Sequence, residues 1–247
     1  MKQAMVIGIL SVMFVAACGG GSNGGDEPDT SAAGLWSGTS GNGRELSGLV
    51  LEDGTYWILY SLMGNGAVIG GGVQGTGKAQ DGTFSSSDGR DFNFEGSGVA
   101  DVEITADFVV LESLSGSILY PATGEVITFS ASYVEPPDMV PSLDLVAGSY
   151  SGVINSVGGA EFATIMVSTS GAVSGETASG CTFSGTAVAR VQEHVYDVVV
   201  TFDGNECVPG IDTVRGVAHF DADLKQFVSG LTNDTRTDGF IFTGVRP

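Results

Sequence analysis

Apolar and polar side chains alternate one by one along most of this chain. In 101–111, one face would carry Val102, Ile104, Ala106, Phe108 and Val110, and the other Asp101, Glu103, Thr105 and Asp107. A period of two places successive side chains on opposite faces of a β-strand. No segment keeps the 3.6-residue period of an amphipathic helix. Turn signals such as Asp53-Gly54 and Asp203-Gly204 separate the runs, so the sequence predicts an all-β fold of antiparallel hairpins.

One proline-rich interruption, 135–141, divides the chain into two similar halves. Because proline cannot donate to a strand ladder, we interpret 136–145 as a linker between modules at 34–135 and 146–247. Gly34-Leu35-Trp36-Ser37-Gly38 opens the first half and Gly148-Ser149-Tyr150-Ser151-Gly152 opens the second. This likeness predicts an internal repeat.

Each half contains about eight short strands by the spacing of turns. Such a meander protects its edges best by closing into a small barrel, in which the last strand at 240–244 would pair with the first near Tyr150. The predicted fold is therefore two tandem antiparallel meander β-barrels. A β-sandwich is the alternative, and a membrane-spanning barrel is disfavoured because regular aromatic girdles are lacking.

The formal net charge of −20 restricts the partners of the chain. It disfavours nucleic acid and bare anionic lipid surfaces, and it keeps a domain soluble next to a membrane. Glycine is frequent, at 39 of 247 residues, but it lies within alternating apolar sequence, which is typical of small coiled barrels rather than of disorder.

The amino end has the order of a secretory signal peptide: Lys2, an apolar run from Ala4 to Val15, and small residues before Cys18. Val15-Ala16-Ala17-Cys18 resembles the lipobox of bacterial lipoproteins. The resemblance implies cleavage after residue 17, a diacylglycerol on Cys18 and acylation (palmitate) of its new amine. Residues 18–33, rich in Gly, Ser and Asp, would form a flexible tether. Gly19, where aspartate would favour the inner membrane, points to the outer membrane.

Two other interpretations of the amino end are weaker. A transmembrane anchor needs about 20 apolar residues, more than this run provides. An ordinary cleaved signal with an incidental cysteine does not explain the tether-like segment that follows.

Cys181 and Cys207 form the one possible cysteine pair of the mature chain. Strands at 182–190 and 195–203 would make a hairpin with the cysteines just beyond its open end. We therefore predict a disulfide, which an exported protein can keep oxidised and which stabilises a loop of this length by about 3 kcal/mol. Free thiols or a metal pair are less favoured, because no histidine lies at ligand spacing.

The layout of Cys18, the 19–33 tether and glycine-rich β modules with hairpins of the Asp53-Gly54-Thr55-Tyr56 type is similar to that of surface lipoproteins. It resembles transferrin-binding protein B and the factor H-binding lipoproteins. The resemblance implies a binding protein at the cell surface and carries over no binding residue.

No motif predicts a catalytic residue, a metal or a cofactor. Gly72 to Lys78 matches a phosphate-binding loop but lacks the hydroxyl and the following helix. Gly20 to Gly24 matches a nucleophile elbow but lies in the tether. We interpret His194 and His219 as solvated surface residues. The oxygen-bearing side chains suited to calcium lie at near-alternate positions, as expected of the wet face of a strand: Asp88, Asp91, Asn93 and Glu95.

Tyr56 and Trp57 are the candidate partner-contact aromatics. They lie on opposite faces of one strand, so the same barrel interior cannot bury both, and one is expected to be exposed. The function favoured is a non-enzymatic binding module held at the membrane, with a protein or other macromolecule as its partner. A lipocalin-like carrier of a small apolar ligand is the alternative. A hydrolase is a weaker third hypothesis.

Overall fold

The computed structural model describes residues 31–136, 139–203, 207 and 210–247. The signal segment, Cys18 and most of the predicted tether lie outside the described residues. Seventeen strands run through the described part, nine before the proline-rich segment and eight after it. Within this part no helix is long and apolar enough to cross a bilayer.

The first nine strands build barrel 1. They are β1 Gly34–Ser40, β2 Glu45–Val50, β3 Thr55–Leu62, β4 Asn65–Thr76, β5 Lys78–Gln80, β6 Thr83–Asn93, β7 Gly98–Val109, β8 Ser113–Tyr120 and β9 Glu125–Val134. Pairing of β1 with β9 and of β4 with β6 closes an eight-stranded ring, while the short β5 pairs with β6 alongside it. Neighbours along the chain pair antiparallel, as the turn signals predict, except that β4 pairs with β6 instead of β5.

The last eight strands build barrel 2, again as an antiparallel meander. They are β10 Gly148–Ser156, β11 Gly159–Val167, β12 Ala172–Thr177, β13 Thr182–Arg190, β14 Val195–Asp203, β15 Thr213–Asp221, β16 Gln226–Thr232 and β17 Gly239–Val245. β17 pairs with β10, with Gly152 opposite Gly244, and closes the ring. The prediction of two tandem barrels is confirmed, and the sandwich alternative is wrong.

Side-chain alternation accounts for both cores. In β7, Val102, Ile104, Ala106 and Phe108 are buried, whereas Asp101, Glu103 and Asp107 are exposed. The interior of barrel 1 is filled by large side chains, among them Trp36, Tyr56, Tyr60, Phe84, Phe108 and Phe129. That of barrel 2 is filled by Tyr150, Phe183, Phe220, Phe227, Phe240 and Phe242.

The interior of barrel 2 leaves little space for a ligand. An apolar void of about 40 Å³ remains among Ile165, Phe227 and Phe240. Small-molecule sites measure about 300 to 1,000 Å³. The carrier alternative is therefore not supported for barrel 2.

Segments that the sequence assigns to tether and linker close one end of each barrel. Ala32, in the predicted tether, is 1% exposed, and its carbonyl accepts a hydrogen bond from Trp36 Nε1 (3.1 Å). Helix α1, Leu143–Val146, overlaps the predicted linker and packs on the core of barrel 2. Tyr150 Oη donates to the Val146 carbonyl (2.7 Å). Apolar side chains just outside the first strand thus belong to the folded modules, because each covers an open barrel end.

The predicted disulfide is confirmed. Cys181 and Cys207 are bonded, with their Cα atoms 4.7 Å apart. β13 and β14 pair from Arg190 opposite Val195 to Thr182 opposite Asp203, which brings the two cysteines to the open end of the hairpin.

Candidate binding site between the two barrels

The two barrels lie side by side and share an apolar cluster between their outer faces. Barrel 1 contributes Leu51, Trp57 and Phe92, and barrel 2 contributes Val195, Val217 and Ile241. Trp57 and Phe92 stack with their ring centroids 6.2 Å apart. These side chains point away from their own barrel, so their burial is due to the other barrel. Phe92 and Ile241 are both 0% exposed, as deep as any residue in either core.

Glycines in barrel 2 allow this close approach. A Cβ atom on Gly230 would lie 2.8 Å from the Trp57 ring, and one on Gly239 would lie 2.6 Å from the Phe92 ring. Both distances are shorter than van der Waals contact permits, so a larger residue would push the barrels apart. The flat rings of barrel 1 therefore pack directly on the backbone of barrel 2.

Two arginines of barrel 2 reach across to barrel 1 at the edges of this cluster. Arg236 donates to the Gln74 carbonyl (2.6 Å) and lies 3.4 Å from the Asp88 carboxylate. Arg190 lies 3.4 Å from the Asp53 carboxylate. Partly exposed ion pairs contribute about 0 to 1 kcal/mol each. The apolar cluster therefore holds the barrels together, and the arginines fix their orientation.

Beside the cluster the barrels leave a cleft of about 390 Å³. Its apolar lining comes from both barrels: Leu49, Trp57, Leu59, Ile69, Val217 and Val228. Its polar lining also comes from both: Glu45, Ser47, Ser61, His219, Asp221 and Gln226. A concave, mainly apolar site with a few polar groups at a domain interface is typical of ligand-binding sites.

Several polar groups in the cleft are already held by the protein. The Ser61 hydroxyl accepts a hydrogen bond from the Glu45 amide (3.0 Å), and one oxygen of Asp221 accepts from the Leu224 amide (2.9 Å). His219 Nδ1 lies 3.3 Å from the His194 carbonyl oxygen. Burial lowers the pKa of His219. Among the described residues, neither the side-chain oxygens of Glu45 nor the second oxygen of Asp221 forms a hydrogen bond.

A second polar cluster lies inside barrel 1, behind the cleft wall. The Asp91 carboxylate is 5% exposed and accepts hydrogen bonds from Tyr60 Oη (2.7 Å) and Tyr120 Oη (2.9 Å). Burial raises the pKa of Asp91 and of both tyrosines. The Arg44 guanidinium lies 5.1 Å over the Tyr60 ring and bridges to Glu95. The two hydroxyls satisfy Asp91, so the cluster is a closed structural network.

The expectation that Tyr56 or Trp57 is exposed to a partner is wrong. Tyr56 is 1% exposed inside barrel 1, where burial raises its pKa to about 12. Trp57 is 5% exposed and lies at the floor of the cleft. The two rings do lie on opposite faces of β3, as alternation predicts. The second barrel covers the outer face, which the pattern of one strand cannot reveal.

The two histidines do not fit the interpretation as solvated surface residues. His219 lines the cleft and is partly buried, because barrel 1 covers that face of β15. His194 is partly buried in the turn after β13. Among the described residues, neither ring forms a hydrogen bond to a serine, threonine or carboxylate side chain.

The side chains of the four residues considered as calcium ligands do not point toward a common site. Asp91 points into barrel 1, Glu95 bridges to Arg44, and Asp88 contacts Arg236 of barrel 2. A register shift between Ser86 and Gly89 changes the face on which the later residues lie. Within the described residues, no group of three or more His, Cys, Asp or Glu side chains is arranged to hold a metal ion.

The glycine-rich segment from Gly72 to Lys78 is not a phosphate-binding loop. It runs through the end of β4 into β5, as the interpretation of a glycine-rich strand predicts. A Cβ atom on Gly75 would lie 2.5 Å from the Tyr56 hydroxyl, and one on Gly72 would lie 2.8 Å from Ile241 of barrel 2. Its glycines therefore serve packing inside and between the barrels.

No protein-family model matches the chain, and a search of curated proteins finds no match. Among solved structures it is similar to isotype 1 transferrin binding protein B from serogroup B Neisseria meningitidis, with a TM-score of 0.31 and 10% identity. The likeness covers 83% of this chain and 66% of that one, just under two thirds of its length.

It is also similar to a candidate outer membrane protein from Bacteroides fragilis NCTC 9343, with a TM-score of 0.26 and 13% identity. That likeness covers 86% of this chain and 95% of that one. Similarities this distant carry no information on what this chain binds or does.

Proposed function

We propose that this chain is an outer-membrane lipoprotein, anchored through acyl chains on Cys18, that acts as a non-enzymatic binding module at the cell envelope. The sequence from Val15 to Cys18 supports the anchor, and the Gly/Ser/Asp segment after it supports a tether. Gly19 supports the outer membrane as the destination. Two acyl anchors or more make such attachment stable.

The observation that carries the binding role is the cleft between the barrels. It is concave, mostly apolar and framed by two rigidly packed modules. A preformed site of this kind binds without the cost of ordering mobile segments. The cleft histidine lies against a backbone carbonyl rather than a nucleophile, which favours binding over hydrolysis.

The anchor is tested by metabolic labelling with an alkyne analogue of palmitate, followed by membrane fractionation. We expect label on the wild-type chain in the outer-membrane fraction and none on Cys18→Ser. The matched control is the double variant Cys181→Ser/Cys207→Ser, in which Cys18 is the only remaining cysteine of three. It should stay labelled.

Label that persists in Cys18→Ser, or a wild-type chain without label, would contradict the anchor. Protease treatment of intact cells then reports the side of the membrane on which the barrels lie. Loss of the barrels indicates display outside the cell, and protection indicates the periplasmic side.

A further inference from the structure

The cleft combines an apolar floor with acidic groups at its margin. Trp57 and Val217 lie at the floor and are 5% and 6% exposed, so the deepest part of the lining is apolar. Glu45 starts β2 of barrel 1 and Asp221 ends β15 of barrel 2, and both line the cleft. The two barrels thus each supply one carboxylate to the same site.

Within the described part of the chain, neither Glu45 nor Asp221 forms a salt bridge. Arg44 is the cation next to this wall, and it is bound to the Ser61 carbonyl (2.7 Å) and to Glu95. Burial lowers the pKa of His219, which disfavours a positive charge on its ring. Among the described residues, the charged side chains that line the cleft are thus two carboxylates, with no lysine or arginine among them.

The whole molecule strengthens this preference. With a net charge of −20, the surface attracts cations and repels anions before any contact is made. A volume of about 390 Å³ lies at the lower end of the range of small-molecule sites, which is about 300 to 1,000 Å³.

We infer that the cleft binds a small amphipathic cation, with its apolar body on Trp57 and Val217 and its ammonium or guanidinium group at Glu45 and Asp221. This rests on the proposed role as a binding module and names the ligand class of the same site. An apolar body gains from leaving water, and the charged group stays at the open margin, on the side of the carboxylates that line the cleft.

The test uses the whole chain as isolated, placed in lipid nanodiscs and labelled with 5-fluorotryptophan. The chain has two tryptophans, Trp57 in the cleft and Trp36 inside barrel 1, so the second fluorine signal is an internal control. The probes are 4-phenylbutylammonium and 4-phenylbutyrate, which share an apolar body and differ in charge. Nanodiscs without protein correct for partition into lipid.

We expect the cation to shift the Trp57 signal in a saturable way, to leave Trp36 unchanged, and to bind more tightly than the anion. The double variant Glu45→Gln/Asp221→Asn should weaken the cation about fivefold or more, as expected for loss of partly exposed ion pairs. Glu103→Gln, on an exposed position of β7 outside the cleft, is the matched control and should change nothing.

Equal affinity for cation and anion would overturn the inference, as would a Trp57 signal that stays in place at millimolar probe. So would a loss of affinity in Glu103→Gln as large as in the double variant. Failure of palmitate labelling would contradict the anchor alone, and the same titrations would then be made on the chain in solution, without nanodiscs. If the chain is labelled with palmitate but does not bind the cation, the proposed anchor stands and only the proposed ligand class is refuted.

Discussion

Trp36 and Tyr150 lie at the same position of their two barrels, and each donates a hydrogen bond to the carbonyl oxygen four residues earlier. The distances are 3.1 Å from Trp36 Nε1 to Ala32 and 2.7 Å from Tyr150 Oη to Val146. Each ring fixes the segment that covers the end of its barrel. This shared geometry supports the predicted internal repeat, which stays a prediction.

Tyr150→Phe should destabilise the chain by about 1 kcal/mol, and by up to about 3 kcal/mol if the Val146 carbonyl is left without a partner. The ring remains in the core, so the change reports the loss of the hydrogen bond. Urea unfolding measures the free energy. Tyr133→Phe is the control, because the Tyr133 hydroxyl forms no hydrogen bond among the described residues, and an equal loss in both variants would contradict the closing role.

Gly230→Ala should weaken the contact between the barrels. The new methyl group would lie 2.8 Å from the Trp57 ring, and overpacking of this kind costs about 1 to 3 kcal/mol. Trp57 should become more accessible to acrylamide, as measured by fluorescence quenching. Gly158→Ala is the matched control, since its methyl group would meet only the Ser156 hydroxyl at 3.6 Å. Unchanged quenching in Gly230→Ala would show that the barrels are not packed as described.

Asp91→Asn should change how stability depends on pH. Burial raises the pKa of Asp91 above 3.8, so the folded chain holds this proton more tightly than the unfolded chain. The carboxyl therefore contributes most to stability below pH 3.8, and this contribution is lost as the pH rises through the raised folded value. Each tenfold difference in proton affinity corresponds to about 1.4 kcal/mol.

The free energy of unfolding, measured by urea from acid to neutral pH, should fall more steeply with rising pH in the wild type than in Asp91→Asn. Asp223→Asn, at an exposed position, should follow the wild type. Parallel curves for the wild type and Asp91→Asn would contradict a buried carboxyl that favours its protonated form.

Removal of the disulfide should destabilise barrel 2. Cys181 and Cys207 are 26 residues apart, and in the chain-entropy model a loop of this size is stabilised by about 3 to 4 kcal/mol. Cys181→Ser/Cys207→Ser should unfold at lower urea than the oxidised wild type and at the same urea as the reduced wild type. A midpoint that does not respond to reductant in the wild type would refute this contribution.

The fold was largely predictable because alternation is a local signal. Val102 to Phe108 and Tyr196 to Val200 reveal their inner faces by period two, and the turn after Arg190 indicates the hairpin that brings the cysteines together. Closure of β17 onto β10 follows from the need to protect strand edges. These inferences use neighbours along one strand or across one hairpin, which a sequence displays directly.

The binding site was not predictable in the same way. Phe92 and Ile241 lie on outer faces that the other barrel covers. The alternation of side chains along one strand does not show whether its outer face is exposed to solvent or packed against another barrel. Asp91 turned inward because the register shifts between Ser86 and Gly89. A glycine on an outer face, such as Gly230, indicates that a bulky side chain packs closely against that face. The side chain that packs there, Trp57, lies far away in the sequence, so the sequence does not identify the pair.

The contact between Arg190 and Asp53 has a geometric consequence. Asp53 lies at the end of barrel 1 that Ala32 closes, and Arg190 lies at the end of barrel 2 where α1 packs. The plugged ends therefore point the same way. In the proposed anchored state the plugged end of barrel 1 is the one nearest the tether, and the opposite loops lie about 20 to 25 Å away, the height of a nine-residue strand such as β10 tilted by about 40°. Those loops, from both barrels, would then form the surface farthest from the anchored end.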